Sequence, residues 1–141
     1  MIAVRETACP APVARVVRLC ALVDLPIVAW LAVPGLAPWL LWLVYGLDSA
    51  FGLGSAAPVI PPIAWLFVNL AGVLGLLWAG YRLYAPTPAL AWADGGGRLV
   101  VAVLMGYYVF WQGVTPVVLL FVVTELVGSY AQLRLLLRQR Q

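Results

Sequence analysis

The sequence predicts an all-α integral membrane protein: a bundle of four transmembrane helices with an extra re-entrant or interfacial helix after the first span. Three observations carry that expectation. Hydrophobic residues make up 65% of the chain and charged residues only 9%, against about 25% charged in a soluble domain. Apolar runs of membrane-crossing length recur, broken by proline and glycine. The basic residues gather at alternate ends of those runs. A length of 141 residues is that of one domain, and no linker divides it, so residues 1–141 read as a single transmembrane unit.

A helix crosses a hydrocarbon core of about 30 Å with about 20 mostly apolar residues. The expected spans are residues 14–33, 62–84, 98–113 and 116–137. Pro34-Gly35 stops the first, Pro61-Pro62 opens the second, and Ala85-Pro86-Thr87-Pro88 closes it. The third begins at Arg98 and is short. Thr115-Pro116 reads as an N-cap followed by proline at the first helical position, which opens the fourth. Between the first two spans, Leu36 to Leu47 is too short to cross, yet it carries Trp39, Trp42 and Tyr45, residues suited to the headgroup zone. A re-entrant or interfacial helix over residues 36–50 is expected there, on the outer side. Thr87 to Asp94 reads as a separate short inner helix stopped by Gly95-Gly96-Gly97. Asp24 and Pro26 interrupt the first run and argue against a cleaved signal peptide.

Cytoplasmic loops carry the excess of basic residues, and here all 8 are arginine. Arg5, Arg15 and Arg18 precede the first span, Arg82 and Arg98 bracket the connection from second to third, and Arg134, Arg138 and Arg140 follow the fourth. This places both termini in the cytoplasm and the chain in the inner (plasma) membrane. A membrane surface, rather than nucleic acid, accounts for the pI near 9.2. Trp30, Trp65 and Trp111 near outer ends, with Trp78 near an inner end, form the expected interfacial belts.

Helices associate in lipid through close backbone approach and polar contacts. Ala71, Gly75 and Ala79, and again Ala102 and Gly106, are spaced for internal packing, with homodimerisation as the alternative. Glu125, Gly128, Ser129 and Gln132 share one helical face, which should point into the bundle and leave Leu119, Leu120, Val123 and Leu126 toward lipid.

The chain has no histidine, which removes the commonest general base and metal ligand. Cys9 and Cys20 form no C-x-x-C pair, and Gly95-Gly96-Gly97 lacks the strand needed for a phosphate loop. No catalytic residue, metal site or cofactor is expected. Asp24 and Glu125 are the only acids inside the expected spans, where each costs on the order of 2.5–3.5 kcal/mol. At about 1.5 Å per residue, each lies about 14 Å from the arginine at its inner boundary, and Tyr107 and Tyr108 lie about 14–15 Å beyond Arg98. These four, with Ser129 and with Asn69 nearer the outer side, form a candidate polar layer at mid-membrane. Pro26 leaves the Leu22 carbonyl without its helical donor, beside Asp24. If Asp24 and Glu125 face each other, desolvation and like-charge repulsion should keep at least one protonated at neutral pH, the two titrating as a coupled pair, with a tyrosine hydroxyl donating to the ionised member. Three readings stay open: polar glue, with the acids protonated or tied to Arg18, Arg82 or a tyrosine; a cavity for a lipophilic or cationic small molecule; and proton or cation passage.

Val23-Asp24-Leu25-Pro26 and Pro61-Pro62-Ile63-Ala64-Trp65-Leu66-Phe67, set in this order of spans, resemble the small DoxX-like and BphX-like bacterial membrane proteins. The outline is also similar to the emopamil-binding (EXPERA) group. The resemblance implies a four-helix bundle with a lipophilic cavity, and in isomerase members an acid and histidines at its base. Without histidine, the chain is expected to be non-catalytic: an accessory or scaffold subunit of a membrane complex, or a binder of a lipophilic molecule at Asp24, Asn69 and Glu125. Expected partners are membrane lipids, a larger membrane protein or a second copy of the chain, and not nucleic acid.

Overall fold

The computed structural model describes residues 9–139, and Arg5 and Arg140 lie outside them. The described residues form five α-helices: α1 (Ala11–Ala32), α2 (Ala37–Ala50), α3 (Pro62–Tyr84), α4 (Pro88–Gln112) and α5 (Leu119–Arg138), the last entered through a 3-10 turn at Pro116–Val118. Proline occupies one of the first two positions of α1, α2, α3, α4 and the 3-10 turn. Its fixed φ suits a helix start, where its missing N–H has no partner to lose. Thr87 and Thr115 add side-chain caps, accepting from the N–H of Leu90 at 3.1 Å and of Val117 at 3.2 Å.

Three stretches, Pro62–Tyr84, Pro88–Gln112 and Pro116–Arg138, are long and apolar enough to cross a membrane, and α1 with α2 passes as a pair bent by 115°. The chain is thus an all-helical, multi-pass membrane protein with three to four candidate spans. The bend falls at Val33 to Leu36, where Gly35 takes a φ of +90° that favours glycine.

The separate inner helix expected before Gly95 is not there. α4 runs unbroken through Gly95-Gly96-Gly97 from Pro88, ten residues before the expected start at Arg98. Each glycine costs about 1 kcal/mol of helix propensity, but tertiary contacts override it. A Cβ on Gly95 would lie 3.0 Å from Leu133, the Ser129 hydroxyl donates to the Gly95 carbonyl at 2.7 Å, and the Asp94–Arg98 pair spans the glycine run at 3.3 Å.

The helices pack mainly as two antiparallel pairs, α1 on α3 and α4 on α5. In the first pair the small residues turned to the partner are Gly72, Gly75 and Ala79, while Ala71 is exposed; the ridge is therefore shifted by one position at its outer end from the expected Ala71, Gly75, Ala79. In the second, Ala102 is buried, but a Cβ on Gly106 would meet nothing within 4 Å. The α5 face of Gly128, Ser129 and Gln132 is buried and Glu125 half-buried, with Leu120, Val123 and Leu126 exposed and Leu119 half-buried. Buried Val13, Val17, Ala91 and Leu136 join α1, α4 and α5 near their basic ends.

A Cβ on Gly72 would stand 2.2 Å from the Ala32 backbone nitrogen, which cannot move without displacing α1. Gly72→Ala is expected to cost at least about 2 kcal/mol by overpacking, read as a lower thermal midpoint in detergent. Gly80→Ala, where nothing lies within 4 Å, should leave the midpoint unchanged or raised. Equal effects of the two substitutions would contradict this packing.

Candidate functional site

Four helices bring five charged side chains together. Asp24 comes from α1, Arg82 from α3, Asp94 and Arg98 from α4 and Glu125 from α5. The α1–α3 register explains the first meeting. Gly72 sits against Leu31 and Ala32, and Gly75 against Val28, so continuing the antiparallel count at about 1.5 Å per residue sets Arg82 within about one turn of Asp24.

Arg98 is the hub. Its Nη2 donates to Asp24 Oδ2, its Nε to Asp94 Oδ2 at 3.3 Å and its Nη1 to Glu125 Oε2 at 2.9 Å. Each guanidinium nitrogen thus serves a different carboxylate, which the planar fork of arginine allows and the point charge of lysine does not. Arg82 supports the same acids, reaching Asp24 Oδ2 at 2.8 Å and Asp94 Oδ1 at 3.1 Å. Asp94 also accepts from the Trp78 indole at 2.9 Å and from the Gln132 amide at 2.7 Å. The side chains of Arg82, Asp94 and Arg98 are 3%, 4% and 6% exposed, those of Asp24 and Glu125 21% and 17%. The cluster is closed at its centre and open only at two carboxylates.

The six residues singled out from the sequence divide. Asp24 and Glu125 meet through Arg98, which donates to both. Ser129 lies one turn beyond Glu125, buried against the Gly95 carbonyl. Asn69 stands apart, donating at 2.7 Å to the carbonyl of Leu31, one of the last four of α1 and so without a helical donor. Tyr107 and Tyr108 do not join the polar layer. They are 45% and 48% exposed, and Tyr107 stacks on Trp111 and accepts from Gln112 at 2.7 Å. Helical spacing explains this: they follow Ala102 and Gly106, but Ala102 and Val109 mark the buried face, and the tyrosines fall beside it.

Exposed large apolar side chains run from Leu99 to Trp111 on α4 and from Leu120 to Leu137 on α5, where Arg134 and Arg138 stand among and after the last of them. Depth counted along a helix does not say which way a side chain faces: Tyr107 and Tyr108 are exposed, whereas Arg98, expected as a boundary residue, is buried inside the cluster. Trp78, expected as an interfacial anchor, is 40% exposed and also donates its indole N–H to Asp94. Arg18 does not reach Asp24; its Nε donates to the Leu83 carbonyl at 3.2 Å, at the end of α3.

Sequence reasoning missed Asp94, Arg98 and Gln132 as members. A signal existed: Asp94 and Arg98 stand at i and i+4, the spacing of a helical ion pair. It also missed a second polar contact at the opposite end of the bundle. Asp48, 1% exposed on α2, accepts from the Ser55 N–H at 2.9 Å and from the Thr115 hydroxyl. This ties α2 and the segment after it to the start of the last helix.

Among the described residues no group of acids, cysteines or histidines is placed to hold a metal ion. Among the grooves on the surface of the described residues are four of about 300 to 560 Å³, one of about 560 Å³ between α4 and α5. None of the four is lined by Asp24 or Glu125. Compared with family models, curated proteins and solved structures, the chain matches none.

The Thr115 hydroxyl, with the Ser55 N–H, holds the Asp48 carboxyl below its usual range. A depressed folded-state value means that this contact contributes fully above the unfolded value of about 3.9 and is lost as pH falls through the lower folded value. Acidification from pH 7 to 3 should therefore lower the thermal midpoint of the native chain more than that of Asp48→Asn. Parallel acid profiles would contradict the clamp.

Proposed function

We propose that the chain is a small inner-membrane protein of four spans, with α2 as an outer interfacial helix and both termini cytoplasmic, that serves as a non-catalytic accessory or scaffold subunit of a membrane complex. The observation that carries this reading is the charge cluster, closed at its centre. Its acids, the groups best placed for catalysis, ligand binding or proton passage, are each held by arginine and spent on joining α1, α3, α4 and α5. A buried acid available for chemistry would instead face a cavity.

The orientation rests on Arg15 and Arg18 on α1 and on Arg134 and Arg138 on α5, which are exposed and lie toward the same end of the bundle. Arg82 and Arg98 are buried and carry less weight there. α2, with 14 residues, is too short to cross alone, and its exposed Trp39 and Trp42 suit an interface. An accessory role is also one of the two readings, with binding of an amphiphile, that the DoxX-like and BphX-like resemblance leaves for a chain without histidine.

The outward surface favours a partner in the bilayer. Tyr107, Phe110 and Trp111 form an exposed aromatic patch on α4, the residue types that concentrate binding energy at interfaces. Solubilised mildly from its native membrane, the protein should copurify in fixed stoichiometry with a larger membrane protein, and Trp111→Ala should weaken that association at least about ten-fold. A partner-free, monodisperse protein across several mild detergents would contradict the proposal.

A further inference from the structure

The groove between α4 and α5 has a polarity that the accessory role does not use. Its floor and walls are apolar, formed by Leu99, Leu126, Leu133 and Leu137, and its charge is confined to Arg134 and Arg138. No acid lines it. Leu126, Tyr130, Arg134 and Arg138 follow one another at steps of four, so a single stripe of α5 runs from apolar to basic over about 18 Å at about 1.5 Å per residue.

We propose that this groove binds one anionic phospholipid of the leaflet at the basic end of the bundle, an acyl chain along the leucines and the phosphodiester on Arg134 and Arg138. A guanidinium matches two phosphate oxygens with two parallel N–H donors, which makes it suited to this anion. Arg134 is already held in place by Tyr130, since its guanidinium carbon lies 5.6 Å from the centre of that ring and its Nη1 donates to the Tyr130 hydroxyl at 3.1 Å. A zwitterionic lipid brings its own cation and leaves the arginines less compensated. The same design recurs on α1, where a groove of about 330 Å³ sets Arg15 and Arg18 beside Leu19 and Leu22. There Arg18 commits its Nε to the Leu83 carbonyl, as Arg134 commits one Nη to Tyr130; the α4–α5 groove, of about 560 Å³, is the roomier of the two for a lipid.

The test uses the full chain, delipidated in a neutral detergent, with phosphatidylglycerol or phosphatidylcholine of identical acyl chains added in mixed micelles. Phosphatidylglycerol should raise the thermal midpoint more than phosphatidylcholine and should stay bound in native mass spectra. Arg138→Gln, which leaves the Arg134–Tyr130 contact in place, should shrink that difference, and Arg134→Gln with Arg138→Gln should abolish it, with apparent affinity falling about ten-fold or more. Far-UV circular dichroism checks that the variants stay helical, and the single variant alone decides the matter if the double variant does not fold. Equal stabilisation by both lipids, an unchanged preference in Arg138→Gln, or the same shift with glycerol 3-phosphate alone would overturn the proposal. So would a stabilisation that only tracks a change of oligomeric state, which would make the groove a contact between copies. Because the assay uses the isolated chain, its outcome is independent of whether a partner protein exists.

Discussion

The structure depends on one buried guanidinium. Arg98 sits where an unpaired charge would be intolerable, and its three nitrogens reach carboxylates on α1, α4 and α5. Taking either sign of charge out of water alone costs several kcal/mol, and only dense, well-formed pairing offsets it. That requirement fixes what may surround it. Arg82 must come in from α3 because two arginines against three carboxylates balance better than one, and Trp78 and Gln132 must turn inward to fill the remaining acceptor positions of Asp94. A buried cluster of this kind need not add stability over an apolar core, but it sets register: a slip of α4 along α5 by one turn would break several pairs at once.

The rest of the bundle follows from lipid as solvent. With no hydrophobic gain in bringing apolar helices together, contact must come from close backbone approach and from polar groups that lipid cannot satisfy. Gly72 and Gly75 provide the first on the α1–α3 face. Polar side chains provide the second and also close helix ends, as Asn69 does at Leu31, Arg18 at Leu83 and Thr115 at the last helix. The interior is accordingly mixed, with Gln132, Thr115, Asp48 and Ser129 beside Val13 and Val17 as the largest fully buried side chains, while leucines, valines and tryptophans cover the outside.

Much of this was legible in the sequence because the bilayer imposes length and composition directly. Apolar runs and proline starts located α1, α3 and the last helix to within a few residues, and the small and polar spacing on α5 identified its inward face. What was not legible depended on which charges are buried. Arginine beside an apolar run reads as an exposed boundary marker; Arg15 and Arg134 are exposed, but Arg82 and Arg98 are buried. The three glycines read as a break because propensity is local, whereas the contacts of Gly95 with Leu133 and Ser129 are tertiary. Asp94 was therefore assigned to a loop-side helix, when it is the most fully bonded acid of the cluster.

Asp24 and Arg98 must act as one unit if the cluster holds the helices in register, and a double-mutant cycle measures that most directly. Unfolding free energies of the native chain, Asp24→Asn, Arg98→Gln and the double variant, taken reversibly in one detergent, give the coupling. The double variant should be about 1–3 kcal/mol less destabilised than the sum of the single variants. Additivity within about 0.5 kcal/mol would contradict the cluster as the interaction that holds the four helices in register.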